Sequence, residues 1–137
     1  MKSGLPLQNS LKNCVKLETL SAMNVPTRPG VFTASLTPLN QDASPNLNQL
    51  VSHVNWLFGQ GSDGVAILGS TGEANSLTFE QRLSIIEHTA GELPPEKLML
   101  GTGSCSMQDT IRLTSASVQA GVFTCLLYTS PSPRDSG

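Results

Sequence analysis

The residues best suited to chemistry in this chain are uncharged. Gly69-Ser70-Thr71-Gly72-Glu73 sets two hydroxyls between two glycines, and Gly101-Thr102-Gly103-Ser104 repeats the combination further along. The glycines let the backbone turn tightly and expose its amide hydrogens, while Ser70 and Thr71 add two side-chain donors beside them. Donors grouped in this way can hold a carboxylate or a phosphate without a cationic side chain. An ordinary turn between a strand and a helix, with its hydroxyls acting as caps, fits the same spacing. Glu73 follows a glycine and is placed to orient the loop rather than to transfer protons.

Other chemistries lack their residues. A Walker phosphate loop needs Gly-Lys-Ser/Thr, and neither glycine turn contains a lysine or the full Gly-x-Gly-x-x-Gly spacing of a dinucleotide site. Cys14, Cys105 and Cys125 are an odd number without metal-ligand spacing, which reads as reduced thiols in a cytoplasmic protein. His53 and His88 fall in predicted helices without neighbouring ligands and read as partly exposed helix residues. Trp56, the only tryptophan, reads as a helix packing residue. No metal and no organic cofactor is implied.

The elements that must position the turns follow a repeated strand-then-helix pattern. Gly30 to Leu36 is a predicted strand that stops at Thr37-Pro38. Ser44-Pro45 then opens a helix as N-cap and first helical residue, with Leu47, Leu50, Val51, Val54, Leu57 and Phe58 on one face and an end at Gly59 or Gly61. Gly64 to Leu68 is a continuous apolar run, the mark of a strand buried on both faces. Thr78-Phe79-Glu80-Gln81 forms a capping box for a helix whose stripe is Phe79, Leu83, Ile86 and Ala90, closed by Gly91 and Pro94-Pro95. Lys97 to Leu100 is the third strand, and Ser106 caps a helix with Ile111, Ser115 and Val118 on one face.

Strand starts near Val31, Val65 and Leu98 recur at 34 and 33 residues, a period that also suits ankyrin repeats. Thr37-Pro38-Leu39-Asn40 faintly imitates the ankyrin signature, but the later units lack it and begin with strand runs. Alternating strands and helices of this length point to βαβ units and a parallel sheet. In such a sheet ligands collect at the carboxyl ends of the strands, where Thr37-Pro38-Leu39 and both glycine turns fall.

Composition narrows the partners. The chain has 137 residues, 38% hydrophobic and 13% charged, with a net charge of −2. Charged residues are scarce beside the usual ~25%, yet apolar ones are not depleted as disorder would require. No apolar run approaches the ~20 residues of a spanning helix, and a charge near zero argues against a nucleic-acid backbone binder. Lys2, Lys12, Lys16 and Arg28 make residues 1–28 basic, whereas carboxylates outnumber cations in residues 29–121. The amino-terminal stretch reads as an extension without chemistry, either upstream sequence before Met23 or an organelle-import segment.

Gly30-Val31-Phe32-Thr33-Ala34, Leu36-Thr37-Pro38-Leu39, Gly64 through Ala74 and Gly101-Thr102-Gly103-Ser104 occur in a distinctive order. From about Pro29 to Gly121 the sequence resembles the dihydrodipicolinate synthase / N-acetylneuraminate lyase family. The resemblance implies a (β/α)8 TIM barrel that condenses or cleaves small 2-oxo acids, commonly pyruvate, through a lysine Schiff base, in a homo-oligomeric parent. It assigns Thr71 to the substrate carboxylate, through side chain and amide, with Gly72 beside it, and Ser70 to a catalytic hydroxyl relay shared with a tyrosine. Serine at position 70, where synthases usually have threonine, tilts toward the lyase or sugar-acid branch.

The resemblance also shows what is missing. The family's imine-forming lysine lies on the sixth strand and its tyrosine on the fifth, whereas this chain holds three βα units and room for a fourth strand in Val122 to Tyr128. A full barrel needs about 250 residues. Lys2, Lys12 and Lys16 lie in the amino-terminal extension, and Lys97 enters the third strand at the wrong end. The expectation is therefore a truncated, inactive lyase fragment: residues 1–28 an extension, 29–121 the first part of the barrel, and 122–137 a non-native Ser/Pro tail in which Tyr128 does not stand in for the active-site tyrosine. The competing reading is a non-catalytic α/β module whose glycine loops hold an anion.

Overall fold

The computed structural model describes residues 30–127. Lys2, Lys12, Lys16 and Tyr128 lie outside the described residues. Four strands form one sheet in the order β1 (Phe32–Ala34), β2 (Gly64–Ile67), β3 (Leu98–Gly101) and β4 (Cys125–Leu126), each parallel to its neighbours. Three helices connect them: α1 (Leu47–Gly59), α2 (Phe79–Glu92) and α3 (Met107–Gln119). The register sets Thr33 beside Val65, Ala66 beside Met99, and Gly101 beside Leu126. Three strand-helix units followed by a fourth strand are the expected opening of a TIM barrel.

Alternation along the central strands decides where the core sits. Val65 and Ile67 of β2 and Leu98 and Leu100 of β3 are buried, while the intervening Ala66 and Met99 are only half-buried. The buried side chains meet Leu50, Val54 and Leu57 of α1, Ile85, Ile86 and Ala90 of α2, and Leu113 of α3. The apolar run 64–68 predicted a strand covered on both faces, but among the described residues helices cover one face only. The other face, which would line the interior of a closed barrel, is open.

Local signals place the helix starts, with one correction. Thr78 and Gln81 form the reciprocal capping box of α2, and Ser106 caps α3 by accepting from the Asp109 amide. The N-cap of α1 is Asn46 rather than Ser44, its side chain accepting from the Gln49 amide. Ser44 is engaged elsewhere: its hydroxyl donates to Asp42 Oδ1 at 2.6 Å and accepts from Asn40 Nδ2 at 3.0 Å. Pro45 forms a β-bridge with Leu39, and the Asn46 amide donates to Pro38 O, so the helix starts only after this tie.

Helix faces were less legible. On α2 the structure buries Arg82, Ile85 and Thr89 with Ile86 and Ala90, and leaves Phe79 and Leu83 half-buried. On α3 the buried residues are Leu113 and Ser117, with Ala116 and Ala120 packed against the core, and Ile111 is exposed. Residues 113, 116, 117 and 120 form the inward face of α3, with Leu113 and Ser117 buried and Ala116 and Ala120 packed against the core, and Ile111 lies off that face. Trp56 is also exposed and stacks on His53 with ring centroids 6.0 Å apart, so it is not a packing residue. Helix α2 runs through Gly91 and ends at Glu92. No helix among the described residues is long and apolar enough to cross a membrane.

Candidate active site at the carboxyl ends of the strands

β2 ends by reversing its backbone. Leu68 adopts φ 62°, a left-handed conformation unusual for a branched side chain, and directs the chain out of the sheet into Gly69. The Leu68 carbonyl lies against Gly101 so closely that a side chain there has no room. Gly72 is similarly confined, since a Cβ would sit 3.1 Å from both Ser35 O and Thr37 Oγ1. The Thr37 hydroxyl donates to Gly72 O at 2.8 Å, tying the end of β1 to the hydroxyl loop. Glu73 then takes φ 52°, and the short 3-10 turn Ala74–Ser76 leads into the cap of α2.

This path leaves the loop's donors unspent. The amides of Glu73 and Ala74 donate back to Ser70 O and Gly69 O, closing the turn. The N–H groups of Gly69, Ser70, Thr71 and Gly72 reach no acceptor among the described residues, nor do the Ser70 and Thr71 hydroxyls make a hydrogen bond there. Beside them opens a cavity of about 500 Å³, walled by Leu68, Gly69 and Ser70 of this loop, by Gly101 at the end of β3 and Gly103 beyond it, and by Leu126 of β4. A smaller cavity of about 110 Å³ lies between Thr37, Gly72 and Leu77, and Glu73 borders both.

The expected site residues therefore separate. Ser70 lines the larger cavity, Gly72 is buried against the smaller one, and Thr71 stands exposed beside them. The loop beyond β3 is committed to structure instead. Thr102 is fully buried and accepts from Thr114 Oγ1 at 2.9 Å, its amide donates to Leu126 O, and the Ser104 amide donates to Thr110 Oγ1. His53 and His88 are half-buried on α1 and α2 and line neither cavity. Among the described residues no group of His, Cys, Asp and Glu could hold a metal ion.

Sequence reasoning missed Arg82. It is 5% exposed, and Nη2 donates to Gly101 O at 3.0 Å and Gly103 O at 2.8 Å, behind the cavity wall. Burial lowers its guanidinium from the usual value, and the Asp109 carboxylate opposes that shift across space. Its signal was positional: an arginine three and four residues before the buried Ile85 and Ile86 shares their face of α2. Lys97, the only lysine among the described residues, sits just before β3 at the far end of the sheet, its ammonium 5.3 Å from the Phe58 ring centroid.

Comparison with known proteins bears on the family and the fold. The model of the Dihydrodipicolinate synthetase family matches residues 27–131. The 4-hydroxy-tetrahydrodipicolinate synthase of Neisseria gonorrhoeae is 36% identical over 96 residues, covering 67% of this chain and 32% of that protein. The crystal structure of dihydrodipicolinate synthase from Aquifex aeolicus superposes with a TM-score of 0.67 at 25% identity, over 79% of this chain and 38% of that one. YagE of E. coli K12, a prophage protein of the same family crystallised in complex with pyruvate, gives a TM-score of 0.63 at 26% identity, over 72% of this chain and 34% of that one. The chain spans about a third of the length of the curated relatives it matches. It belongs to the dihydrodipicolinate synthetase family, within the first part of that family's barrel.

Proposed function

We propose that this chain carries the oxo-acid-binding part of a lyase site that acts on pyruvate or a related 2-oxo acid through a lysine Schiff base. The observation that carries this reading is the run of four unspent amides and two free hydroxyls at Gly69–Gly72, of which Gly69 and Ser70 line the larger cavity and Gly72 the smaller. Preorganised main-chain and hydroxyl donors of this kind hold a carboxylate and stabilise charge developing beside it. A family member crystallised with pyruvate supports that acid as the ligand. In this reading Thr71 and Gly72 receive the carboxylate, and Ser70 passes protons in a hydroxyl relay.

Imine formation needs an unprotonated amine within reach of the keto carbon. Lys97 is remote from the cavity, so the described residues hold the acid without supplying its nucleophile. The described residues therefore bind without turning over, and the distance of Lys97 favours an anion-binding role for them.

Titrating the isotopically labelled chain with pyruvate tests this. The amide resonances of Gly69 to Gly72 are expected to shift saturably, and borohydride to trap no pyruvate on Lys97. Absence of shifts in this loop ends the oxo-acid reading, while a reduced adduct on Lys97 ends the statement that the nucleophile is missing.

A further inference from the structure

The larger cavity has a carboxylate, Glu73, on its border and no cationic side chain among its lining. A buried positive charge lies one layer back. Arg82 leaves the second turn of α2, is buried, and spans two carbonyls, Gly101 O and Gly103 O, both belonging to residues of the cavity wall. Its Nε is buried without a hydrogen-bond partner, and no carboxylate among the described residues comes within ion-pair distance. Two carbonyl dipoles solvate part of the guanidinium, and the Asp109 carboxylate offsets its charge only across space, without a direct ion pair.

A buried cation of this kind does two things to its surroundings. It fixes the carbonyls it bridges, because one planar nitrogen, Nη2, bonded to both acceptors leaves little freedom to either. It also raises the potential in the adjoining low-dielectric space, where charge is screened less than in water. An anion entering the cavity adds counter-charge to that of Asp109; a neutral molecule of the same shape does not.

We propose that Arg82 is a positioning residue that holds the Gly101–Gly103 wall of the cavity and makes the cavity select a carboxylate over a neutral ligand of equal shape. This rests on the oxo-acid reading above, and deepens it by assigning the source of charge selectivity to a residue that never touches the ligand.

The test compares pyruvate with its neutral methyl ester on the whole 137-residue chain, followed by the amide shifts of Gly69 to Gly72. Arg82→Gln, which retains a donor but no charge, is expected to weaken pyruvate about fivefold or more and to leave methyl pyruvate within about twofold. Arg82→Lys, which retains the charge, is expected to keep the ratio of the two affinities within about twofold of the parent chain. A merely structural arginine would lower both ligands together in either variant, and that result overturns the proposal. Should Arg82→Gln not fold, the lysine variant decides alone: loss of the preference for pyruvate despite the retained charge is overturning. If the parent chain binds neither ligand, the oxo-acid reading falls and this inference with it; if it binds pyruvate and Arg82→Gln binds it equally, this inference alone falls.

Discussion

Two loops of nearly the same composition leave neighbouring strands, and they have opposite fates. Gly101-Thr102-Gly103-Ser104 is mostly engaged: Arg82 takes two of its carbonyls, Thr114 bonds the Thr102 hydroxyl, and the Thr102 and Ser104 amides find acceptors, with the Gly103 amide left over. Gly69-Ser70-Thr71-Gly72 is tied down only through Thr37 and its own closing turn, and keeps its donors for something else. Glycine and hydroxyl content therefore does not make a binding loop. What matters is whether the surrounding elements have already used the polar groups, since a buried donor must be satisfied from one side or the other.

The sharpest way to break this contrast is Gly101→Ala. The new methyl meets the Leu68 carbonyl, so either β3 moves or the left-handed turn at Leu68 unwinds. A loss on the order of 3 kcal/mol or outright failure to fold is expected, read from denaturant unfolding. A stable Gly101→Ala chain would mean that the two loops are not locked together.

A matched pair probes the same contrast more gently. Thr102→Val removes the acceptor of the Thr114 hydroxyl in a fully buried position and should cost about 1 kcal/mol of stability. Ser70→Ala removes a hydroxyl with no partner, so its stability should stay within about 0.5 kcal/mol of the parent chain. Its consequence should instead appear in weaker pyruvate-induced shifts around Gly69. Equal stability losses in the two variants would erase the distinction between a spent and an unspent loop.

The smallest effect concerns the turn after β1, held by charge rather than by carbonyl bridges. The Ser44 hydroxyl and amide both donate to Asp42, and these bonds keep its carboxyl below the ordinary aspartate value. A carboxyl depressed in the folded chain contributes stability above its unfolded value and loses that contribution as pH falls through the lowered one. Asp42 is fully exposed, so the expected signature is local: its side-chain resonance titrates below about 3.9. In Ser44→Ala the midpoint should return toward that value. An unchanged midpoint would show that Ser44 does not hold this turn.

How much of this was legible beforehand depends on the range of the interaction. The capping pairs Thr78–Gln81 and Ser106–Asp109 were readable because cap and acceptor lie three residues apart. The strand runs at Val65 to Ile67 and Leu98 to Leu100 were readable because continuous apolar residues have few other uses in a chain of this composition. Ser44 misled because its competing partners, Asp42 and Asn40, were engaged through a bridge between Leu39 and Pro45 that no helix signal announces. Ile111 and Trp56 misled because neither lies on the face its helix buries: α3 turns Leu113 and Ser117 inward, and Trp56 stacks on His53 at the surface.

Local order along the chain determined the alternation of strands and helices, the parallel sheet, the family resemblance and the presence of hydroxyl-rich turns at the strand ends. Those features depend on contacts a few residues apart or on the period of apolar side chains, and both are written in the sequence itself. Tertiary structure alone decided which turn keeps its donors, that Gly101 yields its space to Leu68, and that Arg82 stands behind the cavity wall. Each of these joins residues from separate strand-helix units, and such pairings exist only once the sheet has set its register.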